Sequence, residues 1–203
     1  MKSAVAGVPD MYLLAGFAKP IVLKPLLDGL FEFAPPRHMK TSRGFKLAAS
    51  MTNCGRVGWV SGSGGYSYSE HDPVSGKPWP PIPKAMQQIA ENAADVCGFP
   101  GFCPDACLVN TYLPGKGMGA HRDNDERDLT QPIVSVSLGL PARFFVQGKE
   151  GRGKSVPVDL KSGDTLVWGG RSRLFYHGVR PLKDGNDPVF GGCRINLTFR
   201  KAL

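Results

Sequence analysis

Two of the chain's four histidines fall where an iron ligand set would need them. Ala120-His121-Arg122-Asp123 supplies a His-x-Asp pair, and His177 follows in Phe175-Tyr176-His177-Gly178, 54 positions beyond Asp123 (177 − 123). Two imidazoles and one carboxylate can form the facial triad of a non-haem Fe(II) oxygenase, which leaves three coordination positions open for co-substrate and dioxygen. Residues i and i+2 of a strand face the same side, so His121 and Asp123 can reach one ion, with His177 arriving from another strand. A lone His-x-Asp is usually structural. The distal histidine and the later Arg194-x-Asn196-x-x-x-Arg200 turn it into a metal-site expectation.

In Arg194 to Arg200, strand periodicity puts Arg194, Asn196, Thr198 and Arg200 on one face and Ile195, Leu197 and Phe199 on the other. Either the arginine face is solvated, or it points inward and needs an acidic partner, because an unpaired buried charge is costly. A carboxylate ligand satisfies the second case, since guanidinium binds carboxylate in bidentate fashion. Asn110 and Tyr112 share the same two-residue spacing ahead of the metal motif and can hydrogen-bond the same ligand.

These residues need a β scaffold. Short β-type runs separated by turns occupy Cys107–Tyr112, Ile133–Leu138, Arg143–Val146, Thr165–Trp168, Leu174–Tyr176 and Ile195–Arg200. Val134, Val136 and Leu138 alternate with Ser135 and Ser137, the pattern of a half-buried strand. The 26 glycines and 18 prolines favour many turns over a helical bundle. The expected class is mainly β with flanking helices, a sandwich or barrel, and a double-sheet jelly roll fits. Pro83 to Cys97 reads as the best helix, with Ile89, Ala90, Ala93 and Val96 at helical spacing and Gly98 after the end. A second helix is expected around Ile21–Phe33. Leu47 to Met51 is strand-like, and residues 61–83 read as ordered loop rather than regular structure.

At 203 residues a single domain is expected. A net charge of +8 suits a polyanionic partner but also a basic enzyme with scattered lysines. The five cysteines are an odd number with no secretory signal ahead of them, which points to a reduced, cytoplasmic setting. Cys97, Cys103 and Cys107 match no common zinc spacing. No run approaches the length of a membrane span, and a monomer is expected.

Beyond the site, long stretches are similar to the AlkB family of Fe(II)- and 2-oxoglutarate-dependent dioxygenases. They include Met51-Thr52-Asn53-Cys54-Gly55, Gly65-Tyr66-Ser67-Tyr68-Ser69, Lys77-Pro78-Trp79-Pro80 and Pro104-Asp105-Ala106-Cys107-Leu108. Asn110-x-Tyr112-x-Pro114-Gly115, His121-x-Asp123-x-Asp125-Glu126, Val167-Trp168-Gly169-Gly170 and Arg173 to Gly178 continue the match. The resemblance covers most of the chain from about residue 40. It implies a double-stranded β-helix of jelly-roll type as the catalytic core (83–203), a nucleotide-recognition lid (37–82) and an N-terminal extension packed on the core (1–36). It implies that His121, Asp123 and His177 ligate Fe(II). It implies that Arg194 holds the distal carboxylate of 2-oxoglutarate, with Asn110, Tyr112, Asn196 and Arg200 completing that pocket. Trp59 and His121 would sandwich a damaged base, Tyr66, Ser67 and Tyr68 would lie near phosphates, and Asp125 would sit beside the exocyclic nitrogen. Two stretches depart from the family pattern: the first forty residues, and the loop Gln147–Lys154. Gly151 falls where the family places a substrate-facing arginine, with Arg152 adjacent.

The implied reaction is oxidative dealkylation of bases of the 1-methyladenine and 3-methylcytosine type in DNA or RNA, releasing an aldehyde. A base alkylated on its pairing edge must be single-stranded or flipped to be reached. Two other readings remain. One is a 2-oxoglutarate-dependent hydroxylase or demethylase acting on RNA, protein or a small molecule. The other is a nucleic-acid-binding module without turnover, which would have no use for an open iron site.

Overall fold

In the computed structural model, which describes residues 1–203, the chain runs as thirteen strands and two helices. The order is β1 (Lys2–Ala4), β2 (Met11–Leu14), α1 (Pro20–Phe33), β3 (Ser50–Gly55), β4 (Gly58–Gly62), β5 (Gly65–Ser69) and α2 (Lys84–Val96). Then follow β6 (Ala106–Tyr112), β7 (Met118–His121), β8 (Ile133–Gly139), β9 (Ala142–Val146), β10 (Val156–Leu160), β11 (Thr165–Trp168), β12 (His177–Val179) and β13 (Arg194–Arg200). Seven strands make a major antiparallel sheet in the order β1-β2-β11-β8-β13-β6-β3. Four make a minor sheet, β10-β9-β12-β7, and β4 and β5 form a separate hairpin. This is the jelly-roll architecture expected of the sequence.

Two apolar cores cover the major sheet. On its outer face, Leu23, Leu27 and Leu30 of α1 and Met86, Ala90, Ala93 and Ala94 of α2 pack against Val134, Val136, Leu138, Ile195, Leu197 and Phe199. The i, i+4, i+7 spacing of the α1 leucines is what lets one helical stripe lie on the sheet. Full burial of each such leucine stabilises the fold by about 1.5–3 kcal/mol. The second core fills the space between the sheets with Met11, Met51, Leu108, Tyr112, Ile133, Phe144, Leu166 and Trp168. No helix is long and apolar enough to cross a membrane.

Several sequence expectations need correction. Leu174–Tyr176 is not a strand; it follows a single 3₁₀ turn, and pairing begins only at His177. The apolar run Leu47–Met51 enters the sheet only at Ser50. Within 61–83, the Ser61 to Ser69 segment closes a hairpin, with Trp59 opposite Tyr68 and Gly62 opposite Gly65. Small and polar residues there hide the strand signal. In α2, Val96 is left exposed, and Met86 takes the buried place instead. The first fourteen residues contribute two strands to the major sheet: β2 pairs with β11 from Met11 opposite Trp168 to Leu14 opposite Thr165. β8 is buried on both faces, not one. Its valines meet the helices, while Ser135 and Ser137 face the space between the sheets, where they accept hydrogen bonds from the Asn196 amide and the Arg194 guanidinium.

Candidate metal and co-substrate site

Strand register assembles the metal ligands. β12 pairs with β7 so that His177 lies directly opposite His121, and the two rings come to 4.5 Å between centroids. Asp123 follows β7 by two residues. One ligand atom from each of His121, Asp123 and His177 lies within 4.8 Å of the others. His121 Nε2 is 3.9 Å from one Asp123 oxygen and His177 Nε2 is 3.8 Å from the other.

Each imidazole is oriented through its other nitrogen. Nδ1 of His121 is 3.0 Å from the Gly119 carbonyl oxygen, and Nδ1 of His177 is 3.0 Å from that of Phe175. A carbonyl only accepts, so both Nδ1 atoms carry a proton, and each Nε2 is turned toward the carboxylate. Burial, reinforced by the neighbouring His121, pushes the His177 pKa down to about 4, which keeps that imidazole neutral. Burial alone would raise the Asp123 carboxyl, but Arg200, His177 and His121 outweigh it and hold it below the usual carboxylate range. The site therefore holds a neutral His177 imidazole and an anionic Asp123 carboxylate, the ionisation states in which such groups ligate a divalent first-row metal.

Behind the triad lies a buried ionic network. Arg200 donates to Asp123 Oδ2 at 2.9 Å and lies 3.3 Å from Glu126 Oε1. Arg173 donates to Glu126 Oε2 at 2.9 Å and to the Asp123 carbonyl at 2.7 Å. The Tyr68 hydroxyl donates to Glu126 Oε1 at 2.6 Å. Glu126 and Arg173 side chains are 2% and 3% exposed, so each needs the other's charge.

Beside the triad, the two arginines of β13 have different fates. Both point inward. Arg200 has its carboxylates; Arg194, 1% exposed, has none. It donates one hydrogen bond to the Ser137 hydroxyl and stacks 5.5 Å over the Tyr112 ring, while its Nε and one terminal nitrogen have no partner. Burial lowers its pKa from the usual value. The side-chain oxygen of Asn110, Oδ1, is also unpartnered. The register places Tyr112 opposite Arg194 and Asn110 opposite Asn196, so all four side chains share one patch. A fully buried guanidinium with free donors has the chemistry to receive a small carboxylate, and that compensation is what its burial lacks.

The triad and this patch open into one cavity of about 320 Å³ between the sheets. Its apolar walls include Met51, Leu108, Phe144 and Trp168, and its mouth carries Trp59, Tyr66, Arg122 and Asp125.

A family model described as the 2OG-Fe(II) oxygenase superfamily matches residues 10–200. The alpha-ketoglutarate-dependent dioxygenase AlkB of Escherichia coli is 49% identical over 169 residues, covering 83% of this chain and 78% of that protein. This chain belongs to the AlkB family. The AlkB homolog of Caulobacter vibrioides is 40% identical over 172 residues, 84% of this chain and 76% of its own. The solved structure of OsALKBH1 superposes with a TM-score of 0.83 at 29% identity, over 99% of this chain and all of that one. As an AlkB-family dioxygenase, the protein takes Fe(II) and 2-oxoglutarate as its cofactors.

Of the residues singled out in the sequence, the cavity of this AlkB-family chain gathers His121, Asp123, His177, Asn110, Tyr112, Arg194, Asn196, Arg200, Trp59, Tyr66 and Asp125. Three lie elsewhere. Tyr68 turns its hydroxyl inward to Glu126. Ser67, between Tyr66 and Tyr68, is on the opposite face of β5 by strand alternation. Arg152 is exposed on its loop. Glu126 and Arg173 lie in the family-like stretches, but nothing local in the sequence assigns them a role. Their one signal was an acid and a base at positions where the surrounding residues repeat a family pattern, and such a pair gains meaning only when burial is known.

Proposed function

We propose that this protein repairs N-alkylated nucleobases of the 1-methyladenine and 3-methylcytosine type in DNA or RNA by oxidative dealkylation that consumes dioxygen and 2-oxoglutarate and releases an aldehyde. The observation that carries this reading is the aromatic roof over the triad. Trp59 stacks on Tyr66 at 5.2 Å and 24°, and its indole donates to Asp125 at 2.9 Å. The relatives' names point the same way: the mouse protein that is 33% identical over 125 residues is a nucleic acid dioxygenase.

Bound Fe(II) and 2-oxoglutarate supply the oxidising power that attacks the alkyl carbon. The chain's own groups do the rest. His121, Asp123 and His177 would hold the metal, each offering one ligand atom at the cavity wall. Arg194, Asn110, Tyr112 and Asn196 hold and orient the co-substrate, with Arg200 fixing the Asp123 carboxylate. Trp59 offers one ring face to a base, worth about 1–3 kcal/mol of stacking. Asp125 sets a carboxylate against the positive charge that such lesions carry. Met51, Leu108, Phe144 and Trp168 keep water from the reacting carbon.

Within residues 37–82, the hairpin β4–β5 and the loops around it act as a nucleotide-recognition lid over the core of 83–203, to which β3 adds an edge strand, and the first 36 residues brace that core. Arg37 pairs with Asp72 within the lid, and the Trp59 indole and Tyr68 hydroxyl tie the lid to Asp125 and Glu126 of the core. The protein works as a monomer in the cytoplasm on single-stranded or flipped bases.

The test is mass spectrometry of a single-stranded oligonucleotide carrying one 1-methyladenine, incubated aerobically with Fe(II), 2-oxoglutarate and ascorbate, with His121→Ala alongside. Loss of one methylene-equivalent of mass with the wild type alone is expected. An unchanged oligonucleotide while 2-oxoglutarate is still consumed would reassign the enzyme to another substrate class.

A further inference from the structure

Arg122 lies between two of the metal ligands, one residue past the end of β7, and its side chain reaches over Tyr176. It is exposed and lines the cavity mouth. Its guanidinium sits 5.5 Å over the Tyr176 ring, and it takes part in none of the protein's ion pairs. The ring beneath it is fixed from the other loop. The Tyr176 carbonyl accepts from Gln147 N at 2.7 Å, and the Gly151 backbone packs so closely that a Cβ there would come 2.9 Å from a ring carbon. Gly151 also has φ +63°, so a side chain at that position is excluded twice over. The result is a cation with no anionic partner, held on an aromatic platform at the rim of the cavity.

An ordinary surface arginine samples many rotamers and loses that freedom on binding. Stacking restricts Arg122 beforehand and leaves the edge of its planar fork free, the geometry that suits a phosphate. Exposed Lys149, Arg152 and Lys154 on the adjoining loop add positive field but no comparable orientation.

We infer that Arg122, stacked on Tyr176, grips a backbone phosphate next to the base that enters the cavity, and so makes the enzyme prefer bases within a strand over free nucleosides. This rests on the repair reading above, and it concerns a contact that sets substrate affinity without touching the reacting atoms.

The test combines binding with turnover. Fluorescence anisotropy of a labelled single-stranded oligonucleotide carrying 1-methyladenine is followed across a salt series for wild type, Arg122→Met and Arg122→Lys. Arg122→Met is expected to weaken binding about tenfold, as for loss of one charged hydrogen bond. It should also reduce the slope of log affinity against log salt by roughly one. Arg122→Lys should restore the slope but not the full affinity, since it keeps the charge and loses the fork. In turnover, Arg122→Met should raise KM for the oligonucleotide with kcat little changed, and KM for 1-methyladenosine, which has no phosphate, should not follow. Affinity and slope unaltered in Arg122→Met, or an equal loss on the nucleoside, overturns the inference. An oligonucleotide that binds with this Arg122 dependence but is never dealkylated overturns the reaction instead, and leaves the phosphate contact standing.

Discussion

The Trp59 indole donates a 2.9 Å hydrogen bond to Asp125, a residue 66 positions later in the chain, and so ties the hairpin β4–β5 to the loop that carries a metal ligand. The bond is exposed, so it is worth only about 1 kcal/mol and is easily exchanged for one to a substrate. Asp125→Ala should therefore leave the fold intact but lower kcat/KM for a cationic lesion about ten- to a hundredfold, as for loss of a charged hydrogen bond. A neutral N-alkylated base should suffer less. Paired oligonucleotide assays with the two lesion types check this, and equal losses on both would assign Asp125 to the latch alone.

Arg194 gives a prediction with two opposite signs. Removing it deprives the co-substrate carboxylate of its partner, and truncating one side of a buried charge pair costs about 2–5 kcal/mol. The KM for 2-oxoglutarate should rise at least tenfold in Arg194→Met. Without ligand, however, the wild type keeps a buried guanidinium with two unpartnered nitrogens. An apolar replacement of similar volume removes that burden. Thermal unfolding of the ligand-free variant should therefore occur at or above the wild-type Tm.

Glu126 should behave in the opposite way. It neutralises Arg173 and lies against Arg200, with its side chain 2% exposed. Glu126→Gln leaves both guanidinium groups short of charge, a loss of about 3–5 kcal/mol. Tyr68→Phe removes one hydrogen bond to the same carboxylate and should cost about 1.5–3 kcal/mol. Denaturant unfolding of the two variants should rank them in that order.

The metal-free protein should lose stability in mild acid. The His177 pKa in the native state, about 4, lies below its ordinary 6.5. Between those values the unfolded chain binds more protons than the native one, so stability falls as pH drops from 6.5 toward 4. The full effect is roughly 3 kcal/mol. Asp123, also lowered, adds a further loss only below the ordinary carboxylate range. Unfolding curves at pH 7, 5.5 and 4.5 should show this slope, and His177→Gln should flatten it.

The sequence by itself determined the identity of the ligand set and the class of chemistry. His121, Asp123 and His177 are unusual residue types at unusual spacing, and the period-2 pattern of β13 already separated Arg194 and Arg200 from Ile195 and Phe199. Helix α1 and helix α2 were legible because leucines, alanines and flanking prolines are local signals. Only the tertiary structure decided which way the arginine face points, because alternation defines two faces and says nothing about what covers them. Burial then divided the two arginines, one paired with Asp123 and Glu126 and one left open to a carboxylate. It likewise turned Tyr68 away from the cavity and brought Arg122 onto Tyr176. These outcomes depend on contacts between residues tens of positions apart. Such contacts are fixed by sheet register and loop closure, and no local pattern in the chain records them.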